Sequence, residues 1–375
     1  MAGHDGPHAG RLALITGAPP SARVEAVSRD RCPACGSSAL PGEIPAREMM
    51  IGTREPFAYR ECGACATLWL ADPPADLGPF YPSTYYARVA AVHPAPGHAI
   101  RRMLTMARLR PVLFRRGGRI GSLAGRLVGD PPDLPMVRPL LPRFGIRSFS
   151  DRILDVGCGR VPARLCSLRQ VGFRSLLGVD PFVERDLVHH GIRVLKRELE
   201  DVDGSFDVIM FHHSLEHVRD PLATLRAAIA RLRPRGRILV RTPIAGSWFW
   251  ERYGADWWEL DPPRHLVILS HQGVHALADR LGLQVAQAFH DSSAAEIIGS
   301  EQIARDLATF EPGSWFVDPA ASAYGPDHLE RMAVDVARLN REGRAGRGGY
   351  LLRPSQPAAG ATAIGPADAQ ATPRR

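Results

Sequence analysis

Between about residue 150 and residue 290, short apolar runs alternate with stretches whose apolar residues recur every three or four positions. The runs 152–156, 175–180, 192–196, 206–211, 236–241 and 283–289 read as strands, because they are rich in Ile, Leu and Val and are bounded by Gly, Pro or Asp. The stretches near 162–171, 183–190, 220–232 and 271–281 read as helices. Regular alternation of the two predicts an α/β domain on a mostly parallel sheet. Upstream, 98–129 carries apolar residues at helical spacing, broken at Pro111 and Gly117-Gly118, which predicts two short basic helices. The Pro-rich stretch 131–145 reads as a linker. Residues 1–28 and 354–375 are rich in Gly, Pro and Ala without periodicity, and read as disordered tails.

The sharpest local signal is Ile153-Leu154-Asp155-Val156-Gly157-Cys158-Gly159, a strand running into a glycine turn, with Pro162 at the first turn of the helix that follows. Glycines let backbone approach a ligand with no Cβ in the way, and the carboxyl ends of strands in such a sheet are where nucleotide-like ligands sit. The dinucleotide fingerprint G-x-G-x-x-G needs glycine where this chain has Pro162. The acid at the strand end, Asp155, suits a ligand with a cationic end better than a pyrophosphate. A second strand ends in Asp180, 25 residues on, where a carboxylate can accept from both ribose hydroxyls.

In step, these residues resemble the first two motifs of class I S-adenosyl-L-methionine (SAM)-dependent methyltransferases, whose glycine motif runs D-x-G-x-G-x-G; Val161 stands at the third glycine. The resemblance implies a Rossmann-like sheet whose last strand is antiparallel, a part that Gly349–Arg353 can play, and a catalytic domain over 151–353. It implies cofactor contacts from Asp155, Gly157, Cys158, Gly159, Asp180 and His212, with Glu198 against the adenine amino group.

Composition changes the picture at the N-terminus. Cys32-x-x-Cys35 and Cys62-x-x-Cys65 form two knuckles separated by 26 residues. Four thiolates so spaced can complete a tetrahedral zinc site, structural in role because no coordination position stays open. Disulfides are the rival, disfavoured in the reducing cytoplasm that the absence of a signal-like or membrane-spanning run makes the expected location. Residues 29–86 thus read as a zinc ribbon with a Tyr-rich segment (Tyr81, Tyr85, Tyr86), and 87–150 as a basic helical linker. Ribbon, Tyr-rich segment and methyltransferase core in that order resemble bacterial methyltransferase-23-like enzymes, some of whose relatives act in sugar and polysaccharide biosynthesis.

The net charge is +8 over 375 residues, with 45% hydrophobic and 23% charged residues, ordinary for a globular chain. No acid occurs between Asp76 and Asp130, where nine arginines fall. Such a block suits a solvated helix face or an anionic small-molecule or glycan substrate; no nucleic-acid recognition motif accompanies it.

The candidate chemistry lies after the fourth strand, in His212-His213-Ser214-Leu215-Glu216-His217, ahead of the helix start Asp220-Pro221. Methyl transfer needs the acceptor aligned and its proton removed, a task for a histidine. His217 and His213 are the candidates, with His265 as a rival from the Trp-rich cap 243–270. The string H-x-x-E-H also occurs in inverted zinc peptidases, but there it requires a helix. Methyltransferases of ubiquinone biosynthesis carry E-x-x-E-H at this point, a cluster resembling a divalent-metal site; here His213 replaces the first Glu. The expected function is transfer of a methyl group to an oxygen, less readily a carbon, of a sugar-like or polar metabolite. The alternative, permitted by Val161, is a ribbon recruitment module with a degenerate core.

Overall fold

The computed structural model describes residues 31–38, 42–81, 99–114, 134–320 and 323–355. Tyr85, Tyr86, the second basic helix and both expected tails (save residues 354 and 355) lie outside them.

Two sheets organise the described chain. The larger has eight strands, in the spatial order β11-β12-β9-β8-β4-β5-β7-β6. Its centre is β4 (Ile153–Val156), flanked in parallel by β5 (Leu176–Val179) and β8 (Phe206–His212). Beyond β5 lies β7 (Ile192–Leu195), and beyond β8 lies β9 (Leu232–Pro243), both parallel. The late strand β12 (Arg347–Pro354) inserts antiparallel between β9 and β11 (Leu283–His290), as expected for the last strand. Ile153, Val208, Ile209, Met210 and Phe211 are wholly buried, because helices cover both faces of a parallel sheet.

Register decides where the chemistry goes. Asp155 lies opposite Gly178 and Met210, so Asp155, Asp180 and His212 all emerge at the same carboxyl edge. Helix α3 (Ala163–Val171) starts from the glycine turn at that edge, with Pro162 at its N-cap position. Helix α4 (Pro221–Ala230) starts where Asp220 accepts a hydrogen bond from the Ala223 N–H at 2.9 Å.

Three expectations are corrected. The stretch 183–190 is no helix; it contains strand β6 (Leu187–His189), paired antiparallel with β7. His190 and Gly191 both have positive φ (48° and 75°), so they form a two-residue hairpin turn that brings β-prone residues together. The Pro-rich stretch is not a linker, because 134–143 folds as helix α2 (Leu134–Arg143). Leu134, Val137 and Leu141, at helical spacing, are buried there, and that apolar face outweighs the prolines. Preceding it, helix α1 (Ala99–Phe114) runs unbroken through Pro111, where a break was expected. Helices α7 (Ala294–Ala304) and α8 (Pro326–Glu342) had no counterpart in the sequence reading.

The smaller sheet is antiparallel: β1 (Glu43–Arg47), β2 (Pro56–Glu61), β3 (Leu68–Leu70) and β10 (Val267–Ile268). Only the first three belong to the N-terminal segment. The fourth comes from the cap after α5 (Trp248–Tyr253) and leads into α6 (His271–Arg280). The segment bearing the cysteine knuckles and the Trp-rich stretch 243–270 are therefore joined by strand pairing, Val267 opposite Trp69 and Ile268 opposite Leu68.

Candidate functional site

The site begins at the end of β4. Gly157 (φ +72°) and Gly159 (φ +68°) take backbone angles that residues with a Cβ avoid. A Cβ on Gly157 would stand 2.5 Å from that of Ser214, so the glycine also admits the loop after β8. Ser214 returns the contact, its hydroxyl donating to the Val156 carbonyl at 2.7 Å. Cys158 points its sulfur into the space above Gly178. The Asp180 carboxylate accepts the N–H groups of Gly159 (2.9 Å) and Phe182 (2.8 Å), one on each oxygen, so it organises the turn before any ligand arrives. Each oxygen keeps a further lone pair for ligand hydroxyls. Asp155 is buried; burial pushes its carboxyl up to about 7, Arg164 opposing and Asp180 adding to the shift.

Glu198 precedes a turn at Leu199–Asp201, its carboxyl raised by partial burial and by the negative charges of Glu200, Asp201 and Asp180. His212 packs edge-on against the Phe144 and His213 rings. Its Nε2 is buried without a hydrogen-bond partner, and burial together with Arg164, Arg241 and His213 holds the ring neutral. Sequence reasoning missed three residues here. Phe182 is 84% exposed beside Asp180, an apolar side chain two positions after a strand-end acid. Arg164 and Arg241 were invisible because their roles depend on contacts across the sheet.

The second half of the site is a histidine cluster. His213 uses both ring nitrogens: Nδ1 faces Glu216 Oε1 at 3.1 Å, and Nε2 meets the Arg241 guanidinium. Arg241 in turn donates to Asp291 at 2.7 Å. His217 and His265 pack at 4.8 Å between ring centres. His217 Nδ1 faces the Arg264 carbonyl (2.9 Å) and the Tyr81 hydroxyl (3.1 Å); His265 Nδ1 faces the Glu259 carbonyl (2.7 Å). A carbonyl only accepts, so each Nδ1 carries a proton, and a neutral ring then keeps its lone pair on Nε2; His265 Nε2 lies 3.9 Å from Asp261 Oδ2. Burial, then the neighbouring His265, lowers His217 to about 4, so it is neutral at ordinary pH. Glu216 is fully buried; burial would raise its carboxyl, but the His213 hydrogen bond and the nearby imidazoles outweigh this and hold it down to about 2. Its Oε2 has no partner. Ligand atoms of Glu216, His217 and His265 all lie within 4.8 Å of one another, so this trio can also hold a cation.

The four cysteines converge separately. Cys32 and Cys65 sulfurs lie 3.6 Å apart, Cys35 and Cys62 sulfurs 3.5 Å, and none is disulfide-bonded. A tetrahedron with 2.3 Å zinc–sulfur bonds has edges of about 3.8 Å, so the donor set fits zinc. Both knuckles fold alike: the Gly36 N–H donates to the Cys32 carbonyl and the Ala66 N–H to that of Cys62.

The family model and the curated relatives point the same way as the glycine turn. Residues 115–288 match a family model described as a methyltransferase domain. The ubiquinone biosynthesis O-methyltransferase of Xanthomonas oryzae pv. oryzae is 32% identical over 111 residues, which is 25% of this chain and 45% of that protein. The tRNA U34 carboxymethyltransferase of a Geobacter species is 32% identical over 123 residues, 30% of this chain and 35% of that protein. The chain thus spans less than half the length of the curated relatives it matches. Among solved structures, a SAM-dependent methyltransferase from Archaeoglobus fulgidus aligns at a TM-score of 0.36 and 16% identity, covering 58% of this chain and 92% of that one. No helix among the described residues is long and apolar enough to cross a membrane.

Proposed function

We propose that the class I methyltransferase domain of this chain moves a methyl group from SAM to an oxygen, less readily a carbon, of a small sugar-like or polar acceptor. The observation that carries this reading is the pair His217 and His265, each with Nδ1 tied to a backbone carbonyl, which leaves Nε2 of the neutral His217 ring as a base one short loop away from the glycine turn. SAM, when bound, supplies an electrophilic methyl carbon on a sulfonium. Asp180 would take the ribose hydroxyls, the exposed Phe182 ring would be offered to the adenine, and Glu198 would accept from its amino group. Gly157, Cys158 and Gly159 would line the path to the methionine end, where Asp155 would meet the ammonium while Arg164 and His212 would face the carboxylate. His217 Nε2 takes the acceptor proton as the new bond forms, and His265 orients the acceptor beside it. His213, with both nitrogens engaged, braces Glu216 against Arg241. Cys32, Cys35, Cys62 and Cys65 hold one structural Zn2+.

The test is a calorimetric titration of the full chain with S-adenosylhomocysteine (SAH). Binding on the order of micromolar is expected, weakened at least about 100-fold by Asp180→Ala, which removes ribose contacts and the turn's own brace. Absence of binding by folded, zinc-loaded protein would leave only the recruitment-module alternative.

Asp155 gives the binding a pH signature. A carboxyl at about 7 in the free protein must ionise to pair with the ligand ammonium. SAH affinity is therefore expected to be level above pH 7 and to fall about tenfold per unit below it, with proton release on binding. Asp155→Asn should abolish that slope; a slope unchanged in the variant removes Asp155 from this role.

A second reading has its own observation, the unpartnered Oε2 of Glu216 beside the imidazoles of His217 and His265. A divalent cation there would seat an acceptor bearing two adjacent oxygens, and Mn2+ titration followed by electron paramagnetic resonance decides it.

A further inference from the structure

Arg264 is wholly buried, yet no part of the chemistry proposed above uses its guanidinium. Its Nε donates to both Asp261 oxygens (3.0 and 2.9 Å), Nη1 to the Phe80 carbonyl (3.1 Å) and Nη2 to Glu48 Oε1 (2.7 Å). Glu48, itself fully buried, is rigidly held in turn. Its carboxylate accepts the N–H groups of Met50, Ile51, Gly52 and Thr53, at 2.9 to 3.0 Å, and the Thr53 hydroxyl. A guanidinium buried among two carboxylates is an expensive arrangement that an apolar core would not need. Its effect is to fix the backbone of residue 264 from the ribbon side.

That backbone is what touches the proposed base. The Arg264 carbonyl receives His217 Nδ1 at 2.9 Å, and the Leu266 N–H donates to the Glu216 carbonyl at 2.7 Å. The Tyr81 hydroxyl competes for the same nitrogen, at 3.1 Å. The carbonyl dictates one tautomer, whereas the hydroxyl permits either. A carbonyl accepts only, so it demands a proton on Nδ1; a hydroxyl can donate, and so tolerates a bare Nδ1 with the proton moved to Nε2. With the proton on Nε2, His217 no longer offers a lone pair to an acceptor. Whichever neighbour is held closer and more firmly decides the tautomer.

We infer that Arg264 is a positioning residue: clamped by Glu48 and Asp261, it presents the carbonyl that keeps His217 in the tautomer with a free Nε2, against competition from Tyr81. This rests on reading His217 as the group that meets the acceptor. It also makes the ribbon part of the catalytic apparatus, since Glu48 lies between its strands β1 and β2.

The test is 15N NMR of histidine-labelled full chain, zinc-loaded and saturated with SAH, with His217 assigned by its loss in His217→Asn. Wild type is expected to show His217 protonated at Nδ1 alone. Arg264→Lys keeps the charge but loses the planar fork, and should bring in the Nε2–H form at comparable population with SAH affinity within about twofold. Glu48→Gln should shift the balance the same way. Tyr81→Phe added to Arg264→Lys should restore the single form, a rescue that general loosening of the loop would not give. Wild-type His217 protonated at Nε2 overturns the inference whatever the variants do. A pure Nδ1–H form in folded Arg264→Lys or Glu48→Gln overturns it equally. Failure of wild type to bind SAH would instead strike the methyltransferase reading itself.

Discussion

Replacing His217 with asparagine is expected to lower methyl transfer by two to four orders of magnitude while leaving SAH affinity within about twofold. Asparagine can still offer an N–H to the Arg264 carbonyl, so the local fold keeps its hydrogen bond and loses only Nε2. The measurement is transfer of labelled methyl from SAM across a panel of hydroxylated acceptors, sugar nucleotides among them. His265→Asn should cost less, because its Nε2 orients rather than removes the proton. The double variant should fall little below His217→Asn, as residues acting as a unit are non-additive. Equal losses from both single variants would move the base role to the pair, or to a cation held between them. Since His217 is already neutral above about pH 4, loss of rate just below pH 7 should follow cofactor affinity through Asp155 and not the base.

The strands and the glycine turn were legible because local apolar runs and punctuation govern them. Asp220-Pro221 reads as a helix start from two adjacent residues, and the Ala223 N–H on Asp220 shows why. Segments were misread where local signals compete. In 183–190 the His190-Gly191 turn outweighed a helical pattern, and in 134–143 three buried apolar residues outweighed prolines. The site was legible only as far as single loops carry it. Asp155, Asp180 and His212 could be placed at one sheet edge from the strand pattern alone. That His213 would be tied to Arg241, and His217 to residue 264, could not be read, since those partners lie 28 and 47 positions away. The ribbon posed the same problem on a larger scale. Its cysteines announce themselves by spacing, but the strand that completes its sheet lies some 200 residues downstream, a two-residue element with no pattern of its own.

That shared sheet makes zinc removal the other large effect. The full chain should hold about one zinc, and stripping it with a chelator, or by Cys62→Ser, should unravel the ribbon, because structural zinc is worth about 10–16 kcal/mol in small Cys/His domains. The consequences should be unequal across the molecule. Every proposed SAM contact is made by the large sheet, its loops and α3, so SAH binding should survive. The cap should not keep its order. Val267 and Ile268 would lose their pairing with β3, and the carbonyls of Leu260 and His265 would lose the Tyr59 hydroxyl that donates toward both, at 3.0 and 2.6 Å. Arg280 would lose the Ala34 carbonyl at 2.6 Å, and Gly273 the Thr67 side chain packed where a Cβ would otherwise sit. Hydrogen exchange at the Val267 and Ile268 amides should therefore accelerate, and methyl transfer should fall by at least tenfold, with cofactor affinity nearly unchanged. If stripped protein transferred methyl groups at the full rate, the ribbon would be a separate recruitment module and the clamp on Arg264 would have no bearing on the chemistry. Loss of SAH binding together with zinc would mean that the ribbon supports the large sheet as well as the cap.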